Sequence, residues 1–285
     1  MISKLALGTV QFGIPYGISN KQGQVDINEA SAILDFASMS GIATLDTAIA
    51  YGESEIVLGS LLNKKPDAFK IITKISANED IRTQIESSLD KLQQDNLYGV
   101  LFHNTDDAFN NLKRIEHLEN LKSKGVIEKV GYSLYNPDQL KKLFYLGVNV
   151  DIVQVPYNIL DQRFKPYFAE LNRREIEVHV RSVFLQGIFF VSPEDLDSKF
   201  DELKPHLRNI HQLSKESGLA INSIALGFAI IDEHIDQVVI GVESLKNLEE
   251  NISSLYNLEK VKAIKDKLLN LECNKSRMIL PTNWQ

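Results

Sequence analysis

IATLDTAIAYGESE, residues 42–55, is the stretch that decides the fold. Its first five residues are a short apolar run closing on a carboxylate, Asp46, and a tyrosine, Tyr51, follows after a brief loop. An apolar run too short for a helix reads as a buried strand, and a charge at its end marks where that strand meets solvent. Seven further runs share the pattern: KLALGTV (4–10), AFKIITK (68–74), LYGVLFH (97–103), VIEKVGYS (126–133), VDIVQVPY (150–157), IEVHVRS (176–182) and IDQVVIG (235–241). Between them apolar residues recur at helical spacing, as in Ala30, Ile33, Leu34 and Ala37, in Ile81, Ile85, Leu89 and Leu92, and in Leu140, Leu143 and Phe144. Asn136 followed by Pro137 suits a helix cap and first turn. Strands buried on both faces and alternating with helices imply a parallel sheet. Eight such units, each roughly 25 to 30 residues long, suggest closure into a (β/α)8 TIM barrel with extra C-terminal helices. A doubly wound open sheet is the alternative, but no GxGxxG follows the first strand.

The chain has 285 residues, a size that single barrels reach, and no Pro/Ser linker or low-complexity tract divides it. One domain over residues 1–285 is expected, with 272–285 as a tail. Hydrophobic residues make up 44% and charged residues 24%, which excludes a disordered chain. No apolar stretch approaches the roughly 20 residues of a membrane span, and the opening MISKLALGTVQFG lacks a signal-peptide core, so the expected location is cytoplasmic. The single cysteine, Cys273, excludes an internal disulfide and any zinc site built on several thiolates, and no metal is expected. A net charge of -7 with scattered lysines argues against nucleic acid. The expected partner is a small molecule, and the expected state a monomer or weak homo-oligomer.

Two segments depart from the regular spacing. Residues 11–27, QFGIPYGISNKQGQVDI, form a long polar, glycine-rich loop after the first strand. Residues 183–204, VFLQGIFFVSPEDLDSKFDELK, intervene after the seventh, and LQGIFF could line a site or form a buried turn. Long loops on a rigid barrel commonly carry binding. After the eighth strand, SLKNLEENISSLY and LEKVKAIKDKLL read as two helices before the tail ECNKSRMILPTNWQ.

Barrel sites gather at the carboxyl ends of strands, and there the chain places Asp46, Lys74 and His103, with Tyr51 just beyond Asp46. Each has an ordinary explanation alone: a cap residue, a solvated strand end, a satisfied histidine, a packed loop aromatic. Jointly they describe a proton donor. A phenol with a pKa of about 10 is a poor acid at neutral pH, and a nearby ammonium favours the phenolate and eases donation. A carboxylate paired with the lysine keeps the amine charged, and the imidazole can orient a carbonyl oxygen.

With LALGTVQFG, LDTAIAYGESEIVLG, the strand ends ITK and LFH, VQVPYNILDQR and VVIGVESLKNLEEN, the chain resembles the aldo-keto reductase family over nearly its whole length, and within it the short bacterial branch. The resemblance implies reversible hydride transfer between NADPH, or NADH, and the carbonyl of an aldehyde, ketone or sugar-like substrate. The family's catalytic tetrad falls on Asp46, Tyr51, Lys74 and His103, with Tyr51 as general acid. It also assigns a cofactor site: Ser133 and Gln154 for the carboxamide; Ser182, Phe184, Leu185, Gln186 and Gly187 around the pyrophosphate; Gly241 and Ser244 for a phosphate; Asn247, Glu250 and Asn251 near the adenosine. Arg181 falls where a stacking aromatic is common, Leu134 where asparagine is frequent, and Asn247 where a basic residue often meets the 2′-phosphate. NADP(H) is favoured by family habit, with NAD(H) as the alternative. The substrate pocket is expected from Phe12, Ile14, Tyr16, the loop after His103 and residues 184–190. Trp284 and Met278 either close over the ligand or pack on a helix. Two other classes remain open, a Schiff-base barrel aldolase using Lys74 and a non-catalytic nicotinamide-binding sensor or accessory subunit.

Overall fold

The computed structural model describes residues 1–62, 68–273 and 275–284. Each apolar run contains a strand: β1 (Leu5–Gly8), β2 (Thr44–Asp46), β3 (Lys70–Ile75), β4 (Leu97–Phe102), β5 (Ile127–Ser133), β6 (Ile152–Pro156), β7 (Glu177–Arg181) and β8 (Gln237–Gly241). Every strand lies parallel to the next and β8 pairs with β1, so the sheet closes on itself. The chain is a (β/α)8 TIM barrel with additional carboxyl-terminal helices.

The helices around the barrel start where the sequence supplies an acceptor. Asp26, Asp80 and Asn136 each accept bonds from the first backbone N–H groups of the helices Ile27–Ser40, Ile81–Leu92 and Pro137–Leu146. These are the donors that no helix satisfies internally. At Asn136 the Gln139 side chain reaches back to complete a capping box. The periodic residues Ala30, Ile33, Leu34 and Ala37 are buried against the strands, as are Ile81, Ile85, Leu140 and Leu143.

Ile72, Leu101 and Ile152 form a small apolar plug inside the barrel. Side chains two apart on a strand share a face, so Lys74 and Gln154 stand on the same inner side, one layer nearer the carboxyl end. That layer is polar and meets the loops.

The two irregular loops are both structured. The first opens with a helical turn, Val10–Gly13, that rolls Phe12 into the core. The second contains the turns Leu185–Phe190, Pro193–Asp195 and Ser198–Phe200. LQGIFF does both things open to it: Leu185, Ile188 and Phe189 are buried, while Gln186, Gly187 and Phe190 line a cleft. After β8, the helix Leu245–Ser254 is followed by a second that breaks at Ile264 into Leu258–Ala263 and Lys265–Leu269. In the tail Trp284 packs edge-on against Phe200, with centroids 5.2 Å apart, and its Nε1 donates to Met278 O at 3.0 Å. Trp284 and Met278 therefore anchor the tail on the body of the protein, and among the described tail residues Pro281 reaches the cleft. Among the described residues no helix is long and apolar enough to cross a membrane.

Candidate active site

Asp46, Tyr51, Lys74 and His103 converge at the carboxyl end of the barrel. Asp46 ends β2 and Lys74 is the penultimate residue of β3. His103 follows β4 directly, its N–H extending the ladder to Ile75 O at 2.9 Å. Tyr51 sits in the loop after β2, held because Ile49 N donates to Lys74 O (3.1 Å) and Tyr51 N to Ala48 O (3.0 Å). Lys74 Nζ donates to Asp46 Oδ1 at 2.6 Å, to Thr47 O at 3.0 Å and to Tyr51 Oη at 3.4 Å. The Tyr51 and His103 rings meet edge to face with centroids 5.8 Å apart.

The electrostatics follow from burial. Lys74 is 1% exposed, and burial opposes its charge, but the Asp46 carboxylate and its hydrogen bond outweigh that cost and hold the amine above its ordinary pKa. His103 is pushed down to about 4, first by burial and then by the positive charges of Lys74 and Arg181, so it is a neutral imidazole at physiological pH. Tyr51 departs from the expectation that the ammonium lowers its pKa: burial dominates and raises it, with Lys74 only partly offsetting. Tyr51 therefore stands as a neutral phenol with a proton to give.

These groups lie at one end of a cleft of about 1310 Å³. Ser133, Gln154, Arg181, Ser182, Phe184, Gln186, Gly187, Gly241, Asn247, Glu250 and Asn251 line it, as does Tyr16. Several residues expected in the site do not, among them Ile188 and Phe189, which are buried, and the loop after His103. Phe12 and Leu185 are fully buried in the core, and Ile14 does not line the cleft. Ser244 caps the helix Leu245–Ser254, its hydroxyl accepting from Asn247 N at 3.2 Å. Leu134 is also buried in the core, and its carbonyl oxygen accepts from Arg181 Nη2 at 3.2 Å.

The lining fits a nicotinamide dinucleotide at several points. Gln154 Nε2 donates to Asp46 Oδ2 at 2.7 Å, which leaves its Oε1 a buried acceptor without a partner among the described residues. A carboxamide N–H is the kind of donor such an atom needs. Gln11 Oε1, on the same cleft, is likewise unpartnered. The Ser182–Gly187 segment turns sharply, with φ of 60° at Ser182, 48° at Leu185, 55° at Gln186 and 84° at Gly187. Strained backbone of this kind clusters at ligand clamps. A Cβ on Gly187 would lie 2.0 Å from Ser19 Oγ, because the loop after β1 crosses over to meet this segment.

The sequence model of the aldo/keto reductase family matches residues 4–268. The chain belongs to the aldo/keto reductase family. Membership makes it an NAD(P)H-dependent oxidoreductase acting on carbonyls. Its relatives include the uncharacterized oxidoreductase YqkF of Bacillus subtilis, 23% identical with 89% of this chain and 87% of that one covered. Another is L-galactose dehydrogenase of Arabidopsis thaliana, 24% identical over 88% and 85% of the two chains. The solved structure of aldo-keto reductase AKR11C1 from Bacillus halodurans, in its holo form, superposes with a TM-score of 0.74 at 22% identity, covering 96% and 95% of the chains. At that identity the likeness speaks for the fold.

Several site residues escape a reading of the sequence. Gly13 presses against the tyrosine loop so closely that a Cβ there would lie 1.7 Å from Tyr51 O. Thr9, Thr47 and Ser54 link their hydroxyls beneath it, at 2.8 Å and 3.0 Å. Tyr135 enters the cleft under Arg181. For Gly13 the sequence carries one signal, its place among three glycines, with Gly17 and Gly23, in a loop otherwise rich in polar residues.

Proposed function

We propose that the protein reduces the carbonyl of an aldehyde, ketone or sugar-like substrate, with Tyr51 as proton donor. The observation that carries this reading is the buried Lys74–Asp46 pair beneath a neutral Tyr51 hydroxyl at the cleft. The bound dinucleotide supplies the hydride. Tyr51 gives its proton to the carbonyl oxygen, and the Lys74 ammonium, kept charged by Asp46, stabilises the phenolate left behind. Neutral His103 donates a hydrogen bond that orients the same oxygen. Ser133 and Gln154 would hold the carboxamide, and Ser182, Phe184, Gln186 and Gly187 would wrap the pyrophosphate. The cleft is broad, and among the described residues the tail reaches it only through Pro281, which supports a polar or bulky substrate.

Family habit points to NADP(H), but the adenosine end of this cleft supports NAD(H). Glu243, Glu249 and Glu250 line it, while Asn247 is turned to accept from Glu243 N at 3.3 Å. Lys246, 80% exposed, leans toward Glu250 at 3.8 Å. Carboxylates repel a 2′-phosphate, and no basic side chain lines that end among the described residues. Fluorescence titration with NADH and NADPH, followed by reduction of a carbonyl panel, tests both statements. Binding of neither cofactor ends the reductase reading, and tighter NADPH than NADH binding ends the cofactor assignment.

A Schiff-base aldolase would need Lys74 neutral and open to attack. Its raised pKa and its three hydrogen bonds argue against that. A sensor without turnover remains the competing reading that the carbonyl panel removes.

A further inference from the structure

Arg181, the last residue of β7, stands half-buried in the cleft without a counter-charge. Its guanidinium carbon lies 4.5 Å from the centroid of Tyr135, Nη2 donates to Leu134 O at 3.2 Å and Nη1 to Ser182 Oγ at 3.4 Å. Among the described residues no carboxylate comes within 4.0 Å of it. Among the described residues the other lysine or arginine lining the cleft, Lys74, is paired with Asp46. A guanidinium taken part-way out of water is costly unless an anion completes it, and its planar fork of N–H donors matches a carboxylate or phosphate. Two of its five N–H donors are engaged, and both of those partners are uncharged.

The charge lies in the same space as the reacting groups, since it depresses the pKa of His103 and opposes the upward shift of Tyr51 and of Tyr16. It also lies on a particular side. The guanidinium leans across β6 to the segment after β5, where Leu134 and Tyr135 hold it. Its one contact with the strained Ser182–Gly187 segment, which suits the pyrophosphate, is the 3.4 Å bond to Ser182 Oγ at the start of that segment.

We propose that Arg181 is an anion receptor for the substrate, so that the cleft takes carbonyl compounds carrying a carboxylate or phosphate group. The assignment rests on the reductase reading and adds the substrate's charge to it. Tyr135 and Leu134 O are the positioning groups that aim the fork.

Matched aldehydes test this directly: succinic semialdehyde against butyraldehyde for a carboxylate, and glyceraldehyde 3-phosphate against glyceraldehyde for a phosphate. The wild type should favour the charged member of at least one pair by about tenfold or more in kcat/KM, the size expected of charge-assisted hydrogen bonds. Arg181→Gln should abolish that preference mainly through KM, and Arg181→Lys, which keeps the charge but not the fork, should restore part of it. Circular dichroism confirms that both variants fold. Calorimetric titration with succinate and with inorganic phosphate gives a readout without turnover, in which binding should be lost in Arg181→Gln. Equal use of charged and neutral aldehydes by the wild type, or a preference that survives Arg181→Gln, overturns the proposal. So does a loss of dinucleotide affinity in Arg181→Gln with the anionic preference intact, which would assign the guanidinium to the pyrophosphate. If no aldehyde is turned over with either cofactor while both cofactors fail to bind, the reductase reading falls first and this one with it.

Discussion

The two ends of the barrel each carry a carboxylate, an amine, a phenol and an imidazole in a cluster, and the one at the carboxyl end adjoins the large cleft. There stand Asp46, Lys74, Tyr51 and His103. At the amino end stand Glu177, Lys129, Tyr98 and His179: Tyr98 Oη donates to Glu177 Oε1 at 2.6 Å, Lys129 pairs with the same oxygen, and His179 Nε2 meets Glu177 Oε2 at 3.0 Å. The difference lies in where the carboxylate is spent. Glu177 takes the phenol, the amine and the imidazole, so that cluster is closed on itself. Asp46 takes Lys74 and Gln154 instead, and Tyr51 is left with one 3.4 Å contact and a face on the cleft. Residue types alone do not make a proton donor; an acid whose hydroxyl is not already committed does. Barrel enzymes follow the same division, with chemistry at the carboxyl end and stability at the amino end.

Swapping each tyrosine for phenylalanine should break the symmetry most sharply. Tyr51→Phe should lower kcat by about 10² to 10⁴ while leaving cofactor binding in place, because general acid catalysis supplies that range. Tyr98→Phe should leave turnover intact and cost about 1 kcal/mol of stability, the value of one hydrogen bond. Steady-state kinetics and chemical denaturation on the two variants separate the roles. A large loss of turnover in Tyr98→Phe would erase the distinction.

The ion pairs should differ next. Lys74→Met removes the only charged partner given to the buried Asp46 carboxylate among the described residues, leaving it the Gln154 amide, and should cost about 3–5 kcal/mol in denaturation. Lys129→Met leaves Glu177 with two further partners and some solvent, its side chain being 23% exposed, so the loss should be smaller. Equal losses would show that the two pairs are desolvated alike.

Much of this was legible in the sequence, for identifiable reasons. The eight strands announce themselves because barrel strands are apolar on both faces, and the tetrad because each member sits at or just past a strand end. Phe12 and Leu185 misled because a four-residue helical turn and a tight 3-10 turn carry no periodicity, so nothing showed that they roll inward. The direction of the Tyr51 shift is not legible in the sequence because burial, which outweighs the ammonium, is a property of the assembled cleft. The amino-end cluster is not legible in the sequence because Tyr98, Lys129, Glu177 and His179 lie within strands and meet only when the barrel closes.

Gly13 offers a way to disturb one end alone. A Cβ there would meet Tyr51 O at 1.7 Å and Ser54 N at 2.5 Å, both backbone atoms that cannot swing aside. Gly13→Ala should displace the tyrosine loop and lower kcat by about 10², the cost of a misplacement near 1 Å, without touching the amino-end cluster. Unchanged kinetics would mean that the loop yields without moving the hydroxyl.

Acid should unpick the two ends in sequence, and this is the smallest effect. His103 is held down at about 4, from an ordinary 6.5, first by burial and then by Lys74 and Arg181. A histidine kept neutral in the native state contributes stability that is present above 6.5 and is lost as pH falls toward about 4. Glu177 reaches about 2 from 4.5: burial opposes its charge, but the hydrogen bonds from His179, Lys129 and Tyr98 prevail. Its contribution is present above 4.5 and is lost only as pH falls toward about 2. Between 6.5 and 4.5, then, the carboxyl end weakens while Glu177 still contributes in full. In thermal melts the Tm advantage of wild type over His103→Gln should shrink across that window. The advantage over Glu177→Gln should hold there and decline only in stronger acid. Parallel decline of both from neutral pH would place the two clusters in one titrating unit and dissolve the contrast between them.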